Sequence, residues 1–211
     1  MIERAHPLTE DLIFALAEGP LPARVLVLGM GDGRNVRALA DSGARVDVVE
    51  EDPERALQGG RHFSANLKVR VARAPYAGPY PFAAGFDGAL STHALLHGSQ
   101  ASISAAAGAM RSRLRSTAPA FFTLGSSKDP RCGKGERVDD ATWRATEGNE
   151  AGVPHVYFDE AGVRALLDGF DIIALAEREA AETAGRWAHG SEAAVPRVHW
   201  FVKARRGQLR Q

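Results

Sequence analysis

The chain has 211 residues and a mass of 22.5 kDa, which predicts one domain with room for a sizeable core. Hydrophobic residues make up 45% of the chain and charged residues 25%, a composition that excludes an intrinsically disordered protein. The 26 basic and 26 acidic residues cancel, so the chain lacks the global positive field expected of a protein that binds nucleic acid or an anionic membrane.

The first elements alternate between helical and extended patterns. Thr9 is expected to cap a helix that runs through Ala17, and Arg24–Leu28 is a short apolar run typical of a parallel strand buried on both faces. Residues 33–42 predict a second helix, and Val46–Val49 predict a second buried strand. Strand, helix and strand together form a predicted β-α-β unit of about thirty residues.

The alternation continues along the rest of the chain. The further predicted elements are a helix over 53–60, strands at Leu67–Val71 and Phe86–Ser91, a helix over 99–115, a strand at Ala120–Leu124, a helix capped by Asp159 and ended by Gly169, and a closing antiparallel pair, Phe170–Ala176 and Val198–Ala204, with a polar stretch containing Trp187 and His189 between them. Residues 126–155 are polar and glycine-rich, which predicts a long loop or a small insertion within a single domain over 1–211.

This order of elements predicts an α/β fold. We expect a doubly wound, mostly parallel seven-stranded sheet with helices on both faces, a Rossmann-like arrangement whose last strand is antiparallel. In such sheets ligands bind at the carboxyl ends of the strands, where the strand order reverses.

The turn after the first strand has glycine at alternate positions, in the run Gly29-Met30-Gly31-Asp32-Gly33-Arg34-Asn35. Glycines permit a sharp turn and let a ligand lie against bare backbone. The nicotinamide-dinucleotide fingerprint needs a third glycine where Arg34 stands. Glu50 closes the second strand, where a carboxylate can accept hydrogen bonds from both hydroxyls of a ribose. The pattern favours a nucleoside site over the alternative of a plain glycine turn beside a solvated carboxylate.

Three segments resemble the class I S-adenosylmethionine-dependent methyltransferases: VLVLGMGDGRN at 25–35, VDVVEEDP at 46–53 and FDGALSTHALLHGS at 86–99. The Gly-Arg-Asn ending of the turn is similar to the tellurite-resistance and thiol methyltransferase group, and the resemblance runs from about residue 20 to 204. It implies S-adenosylmethionine as cofactor and a small-molecule methyl acceptor as partner. On this basis the cofactor-binding residues are Gly29, Met30, Gly31, Asp32, Gly33, Asn35, Glu50, Glu51, Arg73, Ala74, Ser91 and Thr92, and the catalytic residue is His93.

Two positions depart from the family's pattern. Val27 stands where the family commonly has an aspartate, and Arg73-Ala74 stand where it commonly has an acidic residue near the adenine. Each departure removes a charge-assisted hydrogen bond worth about 1.5–3 kcal/mol, although Asp32 is a candidate to replace the first. Two alternatives therefore stay open: a non-catalytic S-adenosylmethionine-binding or regulatory protein with the same fold, and a nicotinamide-dependent oxidoreductase, which the glycine spacing disfavours.

Other side chains could contribute chemistry near the predicted site. His93 and His97 are four residues apart, on one face if that segment is helical, and His93 is expected either to line the acceptor site or to pack as a core histidine. The two histidines alone are too few to predict a metal site. Tyr76 and Tyr80 lie in a proline-rich loop, where they would stack on an adenine or cover the sheet.

The polar segment carries further candidates. Cys132 has Arg131 and Lys134 beside it, and these cations would lower the pKa of its thiol, although an incidental exposed thiol is the expectation. His155 and Tyr157 precede the late helix and are candidate lid residues. We expect residues 126–157 to cover the acceptor site and to become ordered when the cofactor binds.

The remaining sequence features concern the compartment. Cys132 is the single cysteine, which excludes an internal disulfide framework and a cysteine-rich zinc site. The N-terminus lacks the basic start and apolar core of a secretory signal, and no apolar run approaches the ~18 residues needed to cross a bilayer. We therefore expect a soluble cytoplasmic protein that acts on neither nucleic acid nor membrane.

Overall fold

The structure is a computed structural model that describes residues 4–148, 150–179 and 197–208. The strands, in chain order, are β1 (Arg24–Leu28), β2 (Arg45–Glu50), β3 (Val69–Arg73), β4 (Gly88–Ser91), β5 (Pro119–Gly125), β6 (Glu136–Arg137), β7 (Thr142–Arg144), β8 (Pro154–Val156), β9 (Phe170–Glu179) and β10 (Val198–Arg206). The helices are α1 (Pro7–Leu16), α2 (Arg34–Asp41), α3 (Pro53–His62), α4 (Gln100–Arg113) and α5 (Glu160–Leu166), with a short 3₁₀ turn at Ala94–Leu96. The predicted polar stretch with Trp187 and His189 lies outside the described residues.

Seven strands form the main sheet in the order β3-β2-β1-β4-β5-β10-β9. Strands β1 to β5 are parallel to one another, whereas β10 runs antiparallel to both β5 and β9. The predicted fold class is therefore confirmed. The strand order reverses at β1, which pairs with β2 on one side and with β4 on the other. Ligands in such sheets bind at the carboxyl end of this switch point.

Side-chain alternation along β1 divides the core between the two faces of the sheet. Leu26 and Leu28 belong to the buried cluster that includes the apolar side chains of α4 and α5. Val25 and Val27 point the other way and belong to the cluster formed with α1 and α2. Because successive side chains of a strand face opposite sides, a strand covered on both faces must be apolar at every position. This requirement explains the continuous apolar run in the sequence.

Several predicted boundaries are shifted by a few residues, including the start of β4 at Gly88 rather than Phe86, and the starts of α1 and β3 show the cause. Helix α1 is capped by His6, whose Nδ1 accepts a hydrogen bond from the Leu8 amide at 3.1 Å, whereas Thr9 lies buried inside the first turn. Strand β3 begins at Val69 rather than at Leu67, whose side chain is 99% exposed. In both cases a local side-chain-to-backbone hydrogen bond, or a turn, ends the regular pattern where apolar periodicity alone continues it.

The polar segment over 126–155 contains a small antiparallel sheet in the order β6-β7-β8, which we call the insert sheet. Trp143 pairs with Arg137 on one side and with His155 on the other. Hydrogen bonds from the Gly98 amide to the Pro154 carbonyl oxygen (2.9 Å) and between the start of α4 and β7 attach it to the main fold. Strands of two or three residues are too short to give a period-two signal, so the sequence predicted only a loop or an insertion here.

The described helices are short. The longest, α4, has 14 residues, and among the described ranges no helix combines the length and apolar character needed to cross a bilayer.

Candidate functional site

The glycine turn between β1 and α2 depends on glycine for its backbone conformation. Gly29, Gly31 and Gly33 have φ values of +88°, +53° and +83°, a region that glycine adopts without steric cost. The Gly29 amide donates to the Val49 carbonyl oxygen at 2.9 Å, which ties the turn to the end of β2. The turn therefore lies at the switch point of the sheet, where the sequence predicted it.

The three glycines face different surroundings. A Cβ atom added to Gly29 would lie 2.7 Å from Cβ of Ala94, and one added to Gly33 would lie 3.1 Å from the Phe63 ring. A Cβ atom on Gly31 would meet no described atom within 4 Å apart from its chain neighbours. Gly29 and Gly33 therefore allow the protein to pack against itself, whereas Gly31 leaves open space beside the turn.

Glu50 brings a buried carboxylate to the same turn, with 2% of the residue exposed. Its Oε2 accepts a hydrogen bond from the Met30 amide at 2.7 Å. Its Oε1 accepts from the Asp52 amide and from the Tyr76 hydroxyl, each at 3.0 Å. Burial, with Glu50 next, raises the pKa of Tyr76 above its ordinary value, so the hydroxyl stays protonated and keeps its donor role. Tyr76 thus occupies Glu50 Oε1, one of the two oxygens that are expected from the sequence to accept from a ribose, and that role of Glu50 stays a prediction.

Residues at the ends of β2 and β3 hold Tyr76 in place. Glu51 Oε1 accepts a hydrogen bond from the Tyr76 amide at 2.5 Å. Exposed Arg73 is in register with Glu50, and the Ala74 amide donates to the Glu50 carbonyl oxygen at 3.1 Å. The predicted roles of Glu51, Arg73 and Ala74 as cofactor contacts stay predictions, while their observed role is to shape the loop that presents Tyr76.

Three polar side chains predicted to contact the cofactor are engaged within the protein. Asn35 Nδ2 donates to the Thr92 hydroxyl at 2.9 Å, and Asn35 Oδ1 accepts from the His6 amide at 2.9 Å. The hydroxyl of Ser91 is fully buried and donates to the Leu28 carbonyl oxygen at 3.2 Å. These bonds fasten α1, α2 and the end of β4 around the turn, so Asn35, Ser91 and Thr92 position the backbone, and their contact with a ligand stays a prediction.

Asp32 lies on the exposed side of the turn. Its Oδ1 accepts from the Arg34 amide at 3.1 Å, and its carboxylate forms an ion pair with the Arg34 guanidinium at 3.4 Å. Both residues line an open cavity of about 650 Å³ together with Arg37 and Asp41. Asp32 is half-exposed there and belongs to a mixed-charge surface.

The two histidines after β4 belong to different clusters, because the segment between them is not a continuous helix and the condition for sharing one face is not met. His93 has φ +65°, and its ring centroid lies 5.5 Å from that of His6 and 5.2 Å from that of His199. The His97 ring lies 4.7 Å from the ring of His155 in the insert sheet. The short 3₁₀ turn between them rotates the two side chains apart.

Sequence reasoning missed two members of the first cluster, His6 and His199. His199 is paired with Gly125 at the end of β5, so it could be found once β10 is placed antiparallel to β5. His6 precedes the first helix and carries no spacing signal. Both residues are buried, and the His93 amide is fixed by a hydrogen bond to the Thr123 hydroxyl at 2.8 Å.

His6 gives the fold a pH dependence that can be measured. Burial, followed by Arg34 and His199, lowers the pKa of His6 to about 3, so the folded state excludes a proton that the unfolded state binds below about pH 6.5. Stability is therefore lost as the pH falls from about 6.5 towards 3. Between pH 6.5 and 5, His6 is expected to remove about 2 kcal/mol from the free energy of unfolding.

Urea unfolding at these two pH values tests this expectation against His6→Asn, which retains an acceptor at the helix cap. The variant should lose less stability on acidification than the parent. An equal loss in both proteins would show that other histidines cause the pH dependence.

The basic neighbours of Cys132 do not activate its thiol. Burial, and then Asp129, raise the pKa of its thiol, and it is half-exposed. Arg131 forms two hydrogen bonds with Asp129, at 2.9 and 3.0 Å, which neutralise the nearest cation. The alternative of a thiol pKa lowered by its basic neighbours is therefore wrong.

The remaining candidates are part of the protein's own packing. Tyr80 is buried and donates its hydroxyl to the Tyr76 carbonyl oxygen at 2.5 Å. His155 and Tyr157 are buried in and beside β8, and burial raises the pKa of Tyr157 to about 12. These residues hold loops in place, and the predicted lid role of His155 and Tyr157 stays a prediction.

No protein-family model matches the sequence, and a search of curated proteins gives no match. Solved structures, in contrast, share the architecture over nearly the whole chain. A methyltransferase dependent on S-adenosylmethionine from Methanosarcina mazei superposes with a TM-score of 0.73 at 13% identity, covering 98% of this chain and 100% of that one. The chain shares the Rossmann-like fold of these methyltransferase structures.

Two further neighbours indicate the range of proteins that share this fold. The 1,6-didemethyltoxoflavin-N1-methyltransferase of Burkholderia thailandensis, solved with 1,6-didemethyltoxoflavin and S-adenosylhomocysteine, has a TM-score of 0.64 at 18% identity, covering 96% of this chain and 80% of that one. TehB from Haemophilus influenzae has a TM-score of 0.64 at 14% identity, covering 94% of this chain and 62% of that one. At such identities the likeness establishes the architecture of the chain.

Proposed function

We propose that this chain binds S-adenosylmethionine and transfers its methyl group to a small-molecule acceptor. The observation that carries the proposal is the buried Glu50 carboxylate beside the glycine turn, at the switch point of a sheet with methyltransferase order. A carboxylate only accepts hydrogen bonds, and a ribose diol offers two donors. We further propose that the chain is related to the tellurite-resistance and thiol methyltransferase group, a relation supported by the Gly33-Arg34-Asn35 ending of the turn.

The residues at the turn fit the ribose end of this cofactor after one side chain moves. Tyr76 now donates to Glu50 Oε1, and it lies on a loop whose Pro75, Ala77 and Pro79 are exposed. Withdrawal of the Tyr76 side chain would leave Oε1 to the ribose. The open space beside Gly31 would then receive the ligand against the backbone.

The proposed methyl transfer requires the protein mainly to align the methyl group with the acceptor. When bound, the cofactor supplies an electrophilic methyl group on a sulfonium, and methyl transfer is an in-line displacement that depends on orientation and exclusion of water. Glu50 and the glycine turn would fix the nucleoside end. His93 would line the acceptor side, where a neutral imidazole can accept a proton from the acceptor.

A non-catalytic cofactor-binding role is the second candidate. The observation that favours it is Tyr76 in the ribose position, together with Val27 and Arg73 in place of acidic residues. A nicotinamide-dependent oxidoreductase is disfavoured, because dinucleotide-binding sheets have the strand order 3-2-1-4-5-6 and lack the antiparallel insertion of β10 between β5 and β9.

Calorimetry with S-adenosylmethionine, S-adenosylhomocysteine and NADH tests the proposal. We expect both sulfur nucleosides to bind and NADH not to bind. Formation of S-adenosylhomocysteine across a panel of thiol, amine and hydroxyl acceptors would then establish catalysis. Binding without turnover would support the non-catalytic role, and no binding of either sulfur nucleoside would refute the proposal.

Tyr76→Phe is expected to raise the affinity for S-adenosylmethionine about five- to tenfold, because it removes a donor that competes with the ribose for Glu50. Calorimetric titration of the purified variant measures the effect. Tyr80→Phe is the matched control, since the Tyr80 hydroxyl lies on the same loop but donates to the Tyr76 carbonyl oxygen and not to Glu50, so its removal should change affinity far less. A weaker affinity of Tyr76→Phe would mean that this hydroxyl contacts the cofactor.

We also propose that residues 126–157 cover the acceptor site. The segment follows β5 and leaves the sheet at the end where ligands bind. Hydrogen exchange with and without S-adenosylhomocysteine should show increased protection both in this segment and in the glycine turn. Protection confined to the glycine turn would show that the insert sheet does not respond to the cofactor.

A further inference from the structure

A second cluster of titratable side chains lies where the insert sheet meets the turn after β4. His97 follows β4, His155 belongs to β8, and Glu150 lies on the connection between β7 and β8. The Nε2 atoms of His97 and His155 lie 3.8 and 3.4 Å from the oxygens of Glu150. One ligand atom from each residue lies within 4.8 Å of the other two. The cluster contains none of the residues proposed to hold the cofactor.

The orientation of His155 fixes the chemical character of its buried nitrogen. Its Nδ1 lies 3.0 Å from the Val153 carbonyl oxygen, and a carbonyl oxygen can only accept, so Nδ1 carries the hydrogen. In a neutral ring, Nε2 then presents a lone pair towards the Glu150 carboxylate. His155 is 3% exposed, and its Nε2 has no hydrogen-bond partner among the described residues. Two electron-rich groups at 3.4 Å repel each other unless a cation lies between them.

The donor set and its dimensions match a zinc site. Tetrahedral zinc with ligand distances of about 2.0–2.1 Å separates its ligand atoms by about 3.3 Å. His155 Nε2 lies 3.4 Å from Glu150 Oε2, close to that separation, whereas His97 Nε2 lies 3.8 Å from the other oxygen, Oε1, and would move closer on binding an ion. Two imidazoles and one carboxylate form a three-ligand set that leaves the fourth position open. A carbonyl partner on the second nitrogen of a histidine ligand is the usual outer contact of such sites, and Val153 provides it for His155.

The surroundings of Glu150 support the same interpretation. Arg131 Nη1 donates to Glu150 Oε2 at 3.0 Å and orients the carboxylate, while Asp129 pairs with the same guanidinium and offsets its charge. Glu150 and His155 both line a cavity of about 210 Å³. An exchangeable ligand in the fourth position could reach the ion through this cavity.

We propose that His97, Glu150 and His155 bind a zinc-type divalent cation, which fastens the insert sheet to the turn after β4. The ion would link one residue of the main fold to two residues of the insert. The competing arrangement has a proton between His155 and Glu150, in a plain ion pair.

Titration of the tag-free, chelator-treated protein with Zn²⁺ distinguishes the two arrangements, with Co²⁺ as a spectroscopic probe of coordination. We expect one ion per chain, an intense visible Co²⁺ spectrum typical of tetrahedral coordination, and a melting temperature that rises with Zn²⁺. Glu150→Gln and His97→Ala should each weaken binding about 100-fold or more. His97 is partly exposed, so its variant keeps the test valid if Glu150→Gln is unstable.

The matched controls are Glu147→Gln in the same connection, His62→Ala on α3 and Cys132→Ser, all of which should bind the ion like the parent protein. No bound ion, or undiminished binding in both ligand variants, would overturn the proposal and leave the proton-bridged pair. The measurements do not involve S-adenosylmethionine, so a failure of the metal-site proposal would be distinguishable from a failure of the proposed methyl transfer.

Discussion

Glu50→Ala is expected to weaken S-adenosylmethionine binding about tenfold or more and to lower the stability of the fold as well. The first effect follows because two ribose hydroxyls would lose a charged acceptor. The second follows because the amides of Met30 and Asp52 would lose their buried partner. We estimate about 3 kcal/mol for this loss, or a fall of about 5–10 °C in melting temperature.

Calorimetry on the folded variant separates the two effects, since the binding loss is measured well below the melting transition. Glu51→Ala is the control because Glu51 is the neighbouring carboxylate and its bond to the Tyr76 amide positions the loop. The affinity of Glu51→Ala for S-adenosylmethionine should fall far less than that of Glu50→Ala. Unchanged affinity in folded Glu50→Ala would place the ribose elsewhere.

Gly31→Val is expected to abolish detectable S-adenosylmethionine binding while the protein still folds. A side chain at this position would project into the space beside the turn that is open in the structure. Valine also tolerates φ +53° poorly, at a cost of about 1–3 kcal/mol, which is within the margin of a typical domain. Titration and thermal unfolding of the same sample measure both consequences.

Gly43→Val is a matched control for backbone strain. Gly43 also has a positive φ, +102°, and open surroundings, but it connects α2 to β2 at the opposite end of the sheet. Gly43→Val should lower the stability of the fold about as much as Gly31→Val does, and it should leave S-adenosylmethionine binding intact. Gly29→Ala provides the opposite contrast, because its methyl group would collide with Ala94 and destabilise the fold. Normal binding by Gly31→Val would show that the glycine run is only a structural turn.

The fold was predictable because its central strands are covered on both faces. That burial requires apolar residues at Val25–Leu28 of β1 and favours the valines of β2, Val46, Val48 and Val49, and the resulting runs stand out from the helices between them. The element boundaries at His6 and Val69 were not predictable in the same way, since they depend on individual caps and turns. The insert sheet was missed because its strands have at most three residues.

The candidate site was likewise predictable only in part. The glycine turn and Glu50 are local features whose spacing follows from one β-α-β unit, so the sequence indicated both. The contacts of Tyr76 with Glu50, of His199 with His93 and of His97 with His155 join segments that are distant in the sequence. No spacing rule in a single sequence reports contacts of that kind.

The amide of Asn35 has a practical consequence for handling the protein. Through it, the backbone at His6 and the hydroxyl of Thr9 are bonded to the helix that starts at the glycine turn, and the same amide holds Thr92 at the end of β4. The wall of the proposed nucleoside pocket therefore depends on residues that precede and begin α1. Tags and trimmed N-termini belong among the variables of any binding measurement, and a purification handle is better placed at the other terminus.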